Sequence, residues 1–152
     1  MSSDNRLSRM LHVLIHMAQH DKPLTSGSIA QMLNTNAVVV RRTMSGLRDK
    51  GHVLSEKGHG GGWTLGKPLA DISLFDVYQA LSEPPIFALG LSNDHPQCLV
   101  EQAVNAGLEN ALQEAKTLLL TTFKQITVAD LARDFDERFN RLMMQSTSAQ
   151  PH

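Results

Sequence analysis

We predict a mainly α-helical chain with one small β-hairpin. Apolar residues recur at three- and four-residue spacing through most of the 152 residues, which is typical of amphipathic helices. One segment departs from that period, because residues 52–66 contain two short strand-like runs around a glycine-rich centre, K-G-H-G-G-G. With 41% hydrophobic and 19% charged residues, the composition is that of a globular protein with a core.

Three helices are expected before the hairpin, covering residues 5–19, 27–33 and 37–50. Thr25 and Ser26 are candidate N-caps of the second helix, and a polar turn ending at Asn36 precedes the third. Gly51 suits the position that follows a helix end. The hairpin then has strands at residues 52–56 and 63–66, joined by a tip.

The third helix has two contrasting faces. Val40, Met44 and Leu47 share one face at i, i+4, i+7 spacing, so that face is expected in the core. The opposite face carries polar and basic side chains and one valine: Val38, Arg41, Arg42, Ser45 and Arg48.

The second half of the chain is expected to be helical around one irregular segment. Ser73 caps a helix that ends at Leu81, and residues 82–97 contain three prolines and no clean period. A long helix follows over residues 98–124, and Thr127 caps a last amphipathic helix. Apolar residues form a stripe along the long helix: Val100, Val104, Leu108, Leu112, Ala115, Leu119 and Phe123. A stripe of this length must be buried, and a second copy of the helix is the simplest partner, which predicts a homodimer.

The charges are distributed unevenly along the chain. Residues 1–67 carry nine Lys or Arg and four Asp or Glu, whereas residues 68–152 carry five and eleven. A basic half followed by an acidic half indicates that only the first half meets a polyanion. We expect four parts: a polyanion-binding domain at 1–67, a linker helix with an effector or hinge loop at 68–97, dimerisation and C-terminal helices at 98–145, and a disordered tail at 146–152.

Several classes of protein are disfavoured. A single cysteine, Cys98, cannot form an intrachain disulfide, and no run of 18 apolar residues could span a membrane. No apolar leader region is present, so a soluble cytoplasmic protein is expected. The stretch from Gly61 to Lys67 matches most of a P-loop, but Pro68 stands where Ser or Thr should bind magnesium, and Trp63 lies in a predicted strand.

The order of elements in the basic half favours DNA binding. A short helix, a tight turn and a second helix with outward arginines form the arrangement that places a helix in the major groove. Arg41 and Arg42 are expected to contact bases or phosphates, and Val38 offers a methyl contact. A slim glycine tip can follow the DNA backbone or enter the minor groove. The other predicted DNA contacts are Thr25, Ser26, Asn36, Ser45, Arg48, Lys57, His59, Gly60, Gly61 and Gly62.

The segment that begins T-S-G-S-I-A-Q-M-L-N and ends F-D-V-Y-Q-A-L resembles the winged-helix repressors of the Rrf type, the family of IscR, NsrR and CymR. The resemblance runs from about Leu7 to Leu81 and is strongest in G-L-R-D-K-G-H-V-L-S-E-K-G-H-G-G-G-W-T-L and I-S-L-F-D-V-Y-Q-A-L. It implies a winged helix–turn–helix repressor that acts as a homodimer, with each protomer contacting one half of an inverted repeat in double-stranded DNA.

The resemblance also bears on cofactors. Cluster-binding members of this family use three cysteines before the long helix, whereas this chain has only Cys98 there. A [2Fe–2S] cluster needs four ligands, so we expect a member without a cluster, without a metal and without another cofactor. A metal shared by His95 and Cys98 of two protomers is a lesser alternative, because two-fold symmetry would complete four ligands.

Two single residues have competing interpretations. Cys98 lies at the predicted start of the long helix, where backbone N–H groups favour a thiolate, so it is a redox-sensor candidate. The alternative is an inert cysteine in a hinge. Trp63 is expected to pack the hairpin onto the domain, the alternative being a contact with DNA.

Two other functions are alternatives to DNA binding. The arginine face could instead dock an acidic protein partner. A peroxidase-like activity at Cys98 lacks a second cysteine and an assigned base, so no enzyme is expected. The sequence indicates neither the operator nor the effector.

Overall fold

Six α-helices and one two-stranded hairpin make up the computed structural model, which describes residues 4–58 and 61–148. The mainly helical fold with one hairpin is confirmed. A short 3-10 turn at Leu69–Asp71 joins the hairpin to the fourth helix. In chain order the elements are α1 (Arg6–Gln19), α2 (Ser26–Leu33), α3 (Ala37–Asp49), β1 (Val53–Glu56), β2 (Gly62–Leu65), α4 (Leu74–Ala80), α5 (Leu99–Gln125) and α6 (Val128–Ser148).

The core lies between the first four helices and the hairpin. As predicted, α3 buries Val40, Met44 and Leu47. Helix α1 buries Met10, Val13, Leu14 and Met17, whereas Ala18 is exposed. Several elements cover α1 at once, since α4, α6 and β2 all pack against it. Helical periodicity shows that an apolar face exists on α1, but it does not show which edge of that face the neighbouring elements cover.

The hairpin is antiparallel, with Val53 opposite Leu65 and Glu56 opposite Gly62. Its first strand begins at Val53, one residue later than predicted; His52 before it is buried, and its carbonyl accepts from the N–H of Gly66 at 2.8 Å. The backbone N–H of His52 donates to the carbonyl of Leu47 at 3.0 Å, which ties the strand to the end of α3.

The start of α6 belongs to the same core as the hairpin. The N–H of Leu74 donates to the carbonyl of Ile126 at 2.9 Å, and the N–H of Val128 donates to the carbonyl of Ile72 at 2.8 Å. Val128 is fully buried. Ser73 caps α4 as predicted, in a reciprocal arrangement in which Asp76 accepts from the Ser73 N–H. The middle and last thirds of the chain are therefore joined directly.

Helix α5 is about 40 Å long and has no buried residue in the single chain. Val100, Val104 and Leu108 are exposed by 72%, 54% and 46%. These values leave the N-terminal part of the predicted stripe uncovered in one protomer, whereas Leu112, Leu119 and Phe123 are half-buried and Phe123 packs against Tyr78 of α4. No helix of the described residues is long and apolar enough to span a membrane.

Helix α6 continues through Ser148, past the predicted end at residue 145. The hydroxyl of Thr147 donates to the carbonyl of Met143, and that of Ser148 to the carbonyl of Gln145, each at 2.9 Å. These local bonds satisfy acceptors in the last turn, where the helix has no further N–H groups to offer. Residues 149–152 of the predicted tail lie outside the described range.

Candidate nucleic-acid interface

Side-chain caps fix the starts of α2 and α3. Thr25 Oγ1 accepts from the N–H of Ser28 at 3.0 Å, and Asn36 Oδ1 accepts from the N–H of Val39 at 3.0 Å. Between the helices, Asn34 adopts the left-handed conformation (φ 54°), which closes the turn. The local sequence thus sets the orientation of α3 relative to α2, as in a helix–turn–helix.

The outer face of α3 presents two arginines to solvent. Arg41 and Arg42 are both exposed, and Val38 is 57% exposed beside them. Among the described residues, neither arginine forms an ion pair with an acidic side chain. Both guanidinium groups can therefore bind an external anion or a base edge without breaking an ion pair in that part of the fold.

Other predicted contacts on α3 are already engaged within the fold. The hydroxyl of Ser45 donates to the carbonyl of Arg41 at 2.7 Å, and Ser45 is only half exposed. The guanidinium carbon of Arg48 lies 5.9 Å from the centre of the Trp63 ring, and its Nε lies 3.9 Å from Asp49 Oδ1. Arg48 is thus directed toward the hairpin.

Trp63 packs the hairpin onto the domain, as predicted. Its side chain is only 6% exposed, and its Nε1 donates to Ser26 Oγ at 3.0 Å. Leu24 and Trp63 also exchange two backbone hydrogen bonds. Ser26 Oγ accepts this bond and keeps its own O–H as a donor, so a phosphate at this end of α2 could meet that hydroxyl as well as backbone N–H groups of the first turn.

The glycines of the hairpin are required by close backbone contacts. A Cβ on Gly62 would lie 2.5 Å from the carbonyl oxygen of Leu24, and a Cβ on Gly61 would collide with the carbonyl oxygen of Glu56. Gly58 has a φ of 96°. Gly61 and Gly62 therefore allow close backbone packing, in addition to their predicted role of keeping the tip slim. Lys57 is exposed at the tip, whereas His59 and Gly60 lie outside the described residues.

A cavity of about 460 Å³, lined by both polar and apolar groups, adjoins the arginine face and was not predicted from the sequence. Arg6, Arg42, Asp49 and Ser82 are among its lining residues. It lies where α3 meets the end of α4, and there a Cβ on Gly46 would collide with the carbonyl oxygen of Ala80. A glycine inside a helical pattern is the sequence signal that could have indicated this close approach.

Cys98 lies away from the arginine face, in the position that precedes α5. It is exposed, and its backbone N–H donates to the carbonyl of His95 at 3.0 Å. Residues 82–97 before it contain no helix or strand, as predicted.

Comparisons with known proteins agree with this geometry. A sequence model of the Rrf2 family, described as an iron-dependent transcriptional regulator, matches residues 3–134. The chain is 33% identical over 114 residues to YwnA of Bacillus subtilis, which is named as a candidate HTH-type transcriptional regulator. The matched region covers 74% of this chain and 84% of YwnA.

Solved structures with the same fold include two regulators. A candidate transcriptional regulator from Lactobacillus plantarum superposes with a TM-score of 0.73 at 26% identity, over 95% of this chain and 98% of the other. CymR, the global cysteine regulator of Bacillus subtilis, gives a TM-score of 0.56 at 25% identity, over 88% and 97%.

The family description mentions iron, but the donor residues of this chain cannot bind iron as an iron–sulfur cluster. The sequence has one cysteine, and a [2Fe–2S] cluster needs four ligands. Within residues 4–58 and 61–148, no three His, Cys, Asp or Glu side chains are grouped to bind a metal. No step of the proposed function therefore passes through a cluster.

Proposed function

The chain belongs to the Rrf2 family of transcriptional regulators, and on that premise we propose that it is a repressor that binds specific DNA sequences in the cytoplasm. The exposure of Arg41 and Arg42, on a helix whose opposite face is fully buried, is the observation that carries this proposal. The Rrf2 family consists of transcriptional regulators, and we propose no enzyme activity for this chain.

In the proposed complex, α3 lies in the major groove and the hairpin tip lies along the neighbouring backbone. Arg41 and Arg42 bind base edges or phosphates, and Val38 contacts a thymine methyl group. The first turn of α2 binds a phosphate through its N–H groups. Phosphate contacts set the position of the protein, and the α3 side chains distinguish the sequence.

We further propose that two protomers associate through α5 and bind the two halves of an inverted repeat. The support is the exposed apolar stripe on α5, together with exposed Phe135 and Phe139 on α6. Apolar patches of this kind on a soluble domain mark association surfaces. A two-fold dimer presents two copies of α3, and two-fold symmetry matches a palindromic site.

A salt titration of duplex binding tests this function against docking to an acidic protein. Binding through several phosphates should weaken steeply as salt rises, because counterions are released from DNA. Arg41→Ala should cost about 1–3 kcal/mol on the specific duplex, whereas Arg133→Ala, which removes an exposed arginine of α6, should leave binding unchanged. No measurable duplex binding at low salt would favour the protein-docking alternative.

We also propose that DNA binding responds to oxidation of the Cys98 thiol. The thiol is exposed next to the irregular segment 82–97, so its oxidation would change the start of α5. Peroxide should reversibly weaken duplex binding by the wild type and leave Cys98→Ser unaffected. An equal response from both proteins would remove sensing and leave DNA binding intact.

A further inference from the structure

Three histidines recur at four-residue spacing in H-V-L-I-H-M-A-Q-H, two on α1 and the third, His20, just after its end. Because residues i and i+4 are neighbours on a helix, His12 and His16 follow one another along one side of α1. The core does not use that side, since the buried residues of α1 are Met10, Val13, Leu14 and Met17. His12 and His20 are exposed, and His16 is half-buried.

Two of the three rings meet at their nitrogens. Nε2 of His12 and Nε2 of His16 are 2.9 Å apart, and the ring centres are 4.7 Å apart with planes inclined by 48°. One ring must donate a proton to the other, so at least one Nε2 is an unprotonated acceptor. His20 is directed elsewhere, because its Nδ1 lies 2.7 Å from the carbonyl oxygen of His16.

The separation of the two nitrogens matches that of neighbouring ligands on a metal ion. Metal–imidazole bonds of about 2.0–2.1 Å place two ligand nitrogens about 2.9 Å apart at a right angle and about 3.4 Å apart at a tetrahedral angle. The observed 2.9 Å between the Nε2 atoms fits the right angle of square-planar or octahedral ions. In the hydrogen bond the acceptor lone pair faces the other ring, so metal binding requires both rings to turn until their lone pairs converge on the ion.

We propose that His12 and His16 form a surface site for a divalent transition-metal ion that favours right-angled imidazole ligation, with Cu²⁺ bound most tightly and Ni²⁺ next. Imidazole nitrogen suits both ions, and affinity for a given nitrogen site peaks at Cu²⁺. On binding, the donor ring moves its proton from Nε2 to Nδ1 by exchange with water, so that two neutral rings each offer an Nε2 lone pair, and the ion takes its other ligands from water. A chelated ion joins consecutive turns in the second half of α1, before the segment that carries Leu24 and contacts the hairpin.

Titration of the full-length, untagged protein with Cu²⁺ and with Ni²⁺, followed by calorimetry, tests the site. We expect one ion per chain and a loss of affinity on the order of 100-fold in His12→Gln or His16→Gln, because either change turns a chelate into a single contact. His95→Gln, which replaces an exposed histidine outside α1, should bind as the wild type does. His20→Gln should retain tight binding, because its ring is not directed at the pair.

Electron paramagnetic resonance of the Cu²⁺-loaded wild type provides a second measurement that does not depend on how well a variant folds. Coupling to two imidazole nitrogens is the expected spectrum. Oxygen-only ligation, or affinities of His12→Gln and His16→Gln that equal the wild-type value, would overturn the proposal. Circular dichroism of each variant separates loss of the site from loss of the helix.

Discussion

The indole Nε1 of Trp63 donates a hydrogen bond of 3.0 Å to the hydroxyl of Ser26, which joins the hairpin to the first turn of α2. Leu24 reinforces this contact, since it exchanges backbone hydrogen bonds of 3.0 and 2.8 Å with Trp63. The hairpin is therefore attached to the helix–turn–helix at a fixed distance from α3. This attachment sets the position of the hairpin relative to α3, the two elements that we propose contact one DNA duplex.

The bond between Trp63 and Ser26 should contribute a measurable coupling energy. Trp63→Phe removes the donor but keeps an aromatic ring, and Ser26→Ala removes the acceptor. We expect a coupling of about 1 kcal/mol between the two changes in denaturant unfolding, the typical net value of an intramolecular hydrogen bond. Effects that simply add in the double variant would show that the bond contributes nothing.

Gly46 should be needed for the packing of α3 on α4. In Gly46→Ala, the new methyl group would collide with the carbonyl oxygen of Ala80, and a backbone neighbour cannot move aside cheaply. We expect a loss of about 1–3 kcal/mol in the free energy of unfolding, despite the better helix propensity of alanine.

Gly27→Ala is the matched control for that change. Gly27 also lies in a helix, but the nearest atom to its added Cβ is Thr25 Oγ1 at 3.9 Å, an ordinary contact. This variant should be as stable as the wild type or more stable by up to about 1 kcal/mol. Equal losses at both glycines would contradict the close approach of α3 and α4.

A charge on the α5 stripe should separate the protomers. Leu108→Glu places a carboxylate on the exposed apolar face, whereas Asn110→Glu places the same group on the other side of the helix. Sedimentation should give a dimer for the wild type and Asn110→Glu and a monomer for Leu108→Glu. A monomeric wild type, or a dimeric Leu108→Glu, would refute assembly through this stripe.

His52 should make the fold less stable in mild acid. Burial lowers its pKa first, and the nearby positive charge of Lys67 lowers it further, while Asp76 acts in the opposite direction. Its Nδ1 is buried without a hydrogen-bond partner among the described residues. In the unfolded chain a histidine titrates near about 6.5, so below that pH the unfolded state binds more protons than the folded state.

Stability due to neutral His52 is therefore present above about pH 6.5 and is lost as the pH falls toward the lower folded value. Unfolding measured from pH 7.5 to pH 5 should show a shallower decline in His52→Gln than in the wild type. His16, whose pKa is also lowered, leaves part of the slope in the variant. Identical slopes for the two proteins would rule out a contribution from His52.

Local patterns in the sequence were sufficient for most of the fold. Spacing alone identified the buried face of α3, and Ser73 and Thr127 were recognised as caps because their hydroxyls serve the helix that follows them. The contact of Val128 with Ile72 could not be predicted, because it joins residues far apart in the chain through backbone bonds that any sequence could make.

Only part of the candidate interface could be predicted from the sequence. Arg41 and Arg42 were indicated by their place opposite an apolar face, which is a local property. The hydrogen bond that Ser26 Oγ accepts from Trp63 joins residues 37 positions apart, so sequence spacing could not reveal it. The pairing of His12 with His16 was available from their spacing, but only the ring geometry gives it a chemical meaning.

Selection of bound duplexes from a random pool, carried out in parallel with the wild type and Arg41→Ala, tests the central claim most directly. Specific DNA binding by α3 predicts that the wild type enriches one palindrome, and that Arg41→Ala relaxes the preference at one symmetric pair of positions. Failure of the wild type to enrich any sequence, or an unchanged palindrome with Arg41→Ala, would contradict the assignment of Arg41 to base contacts.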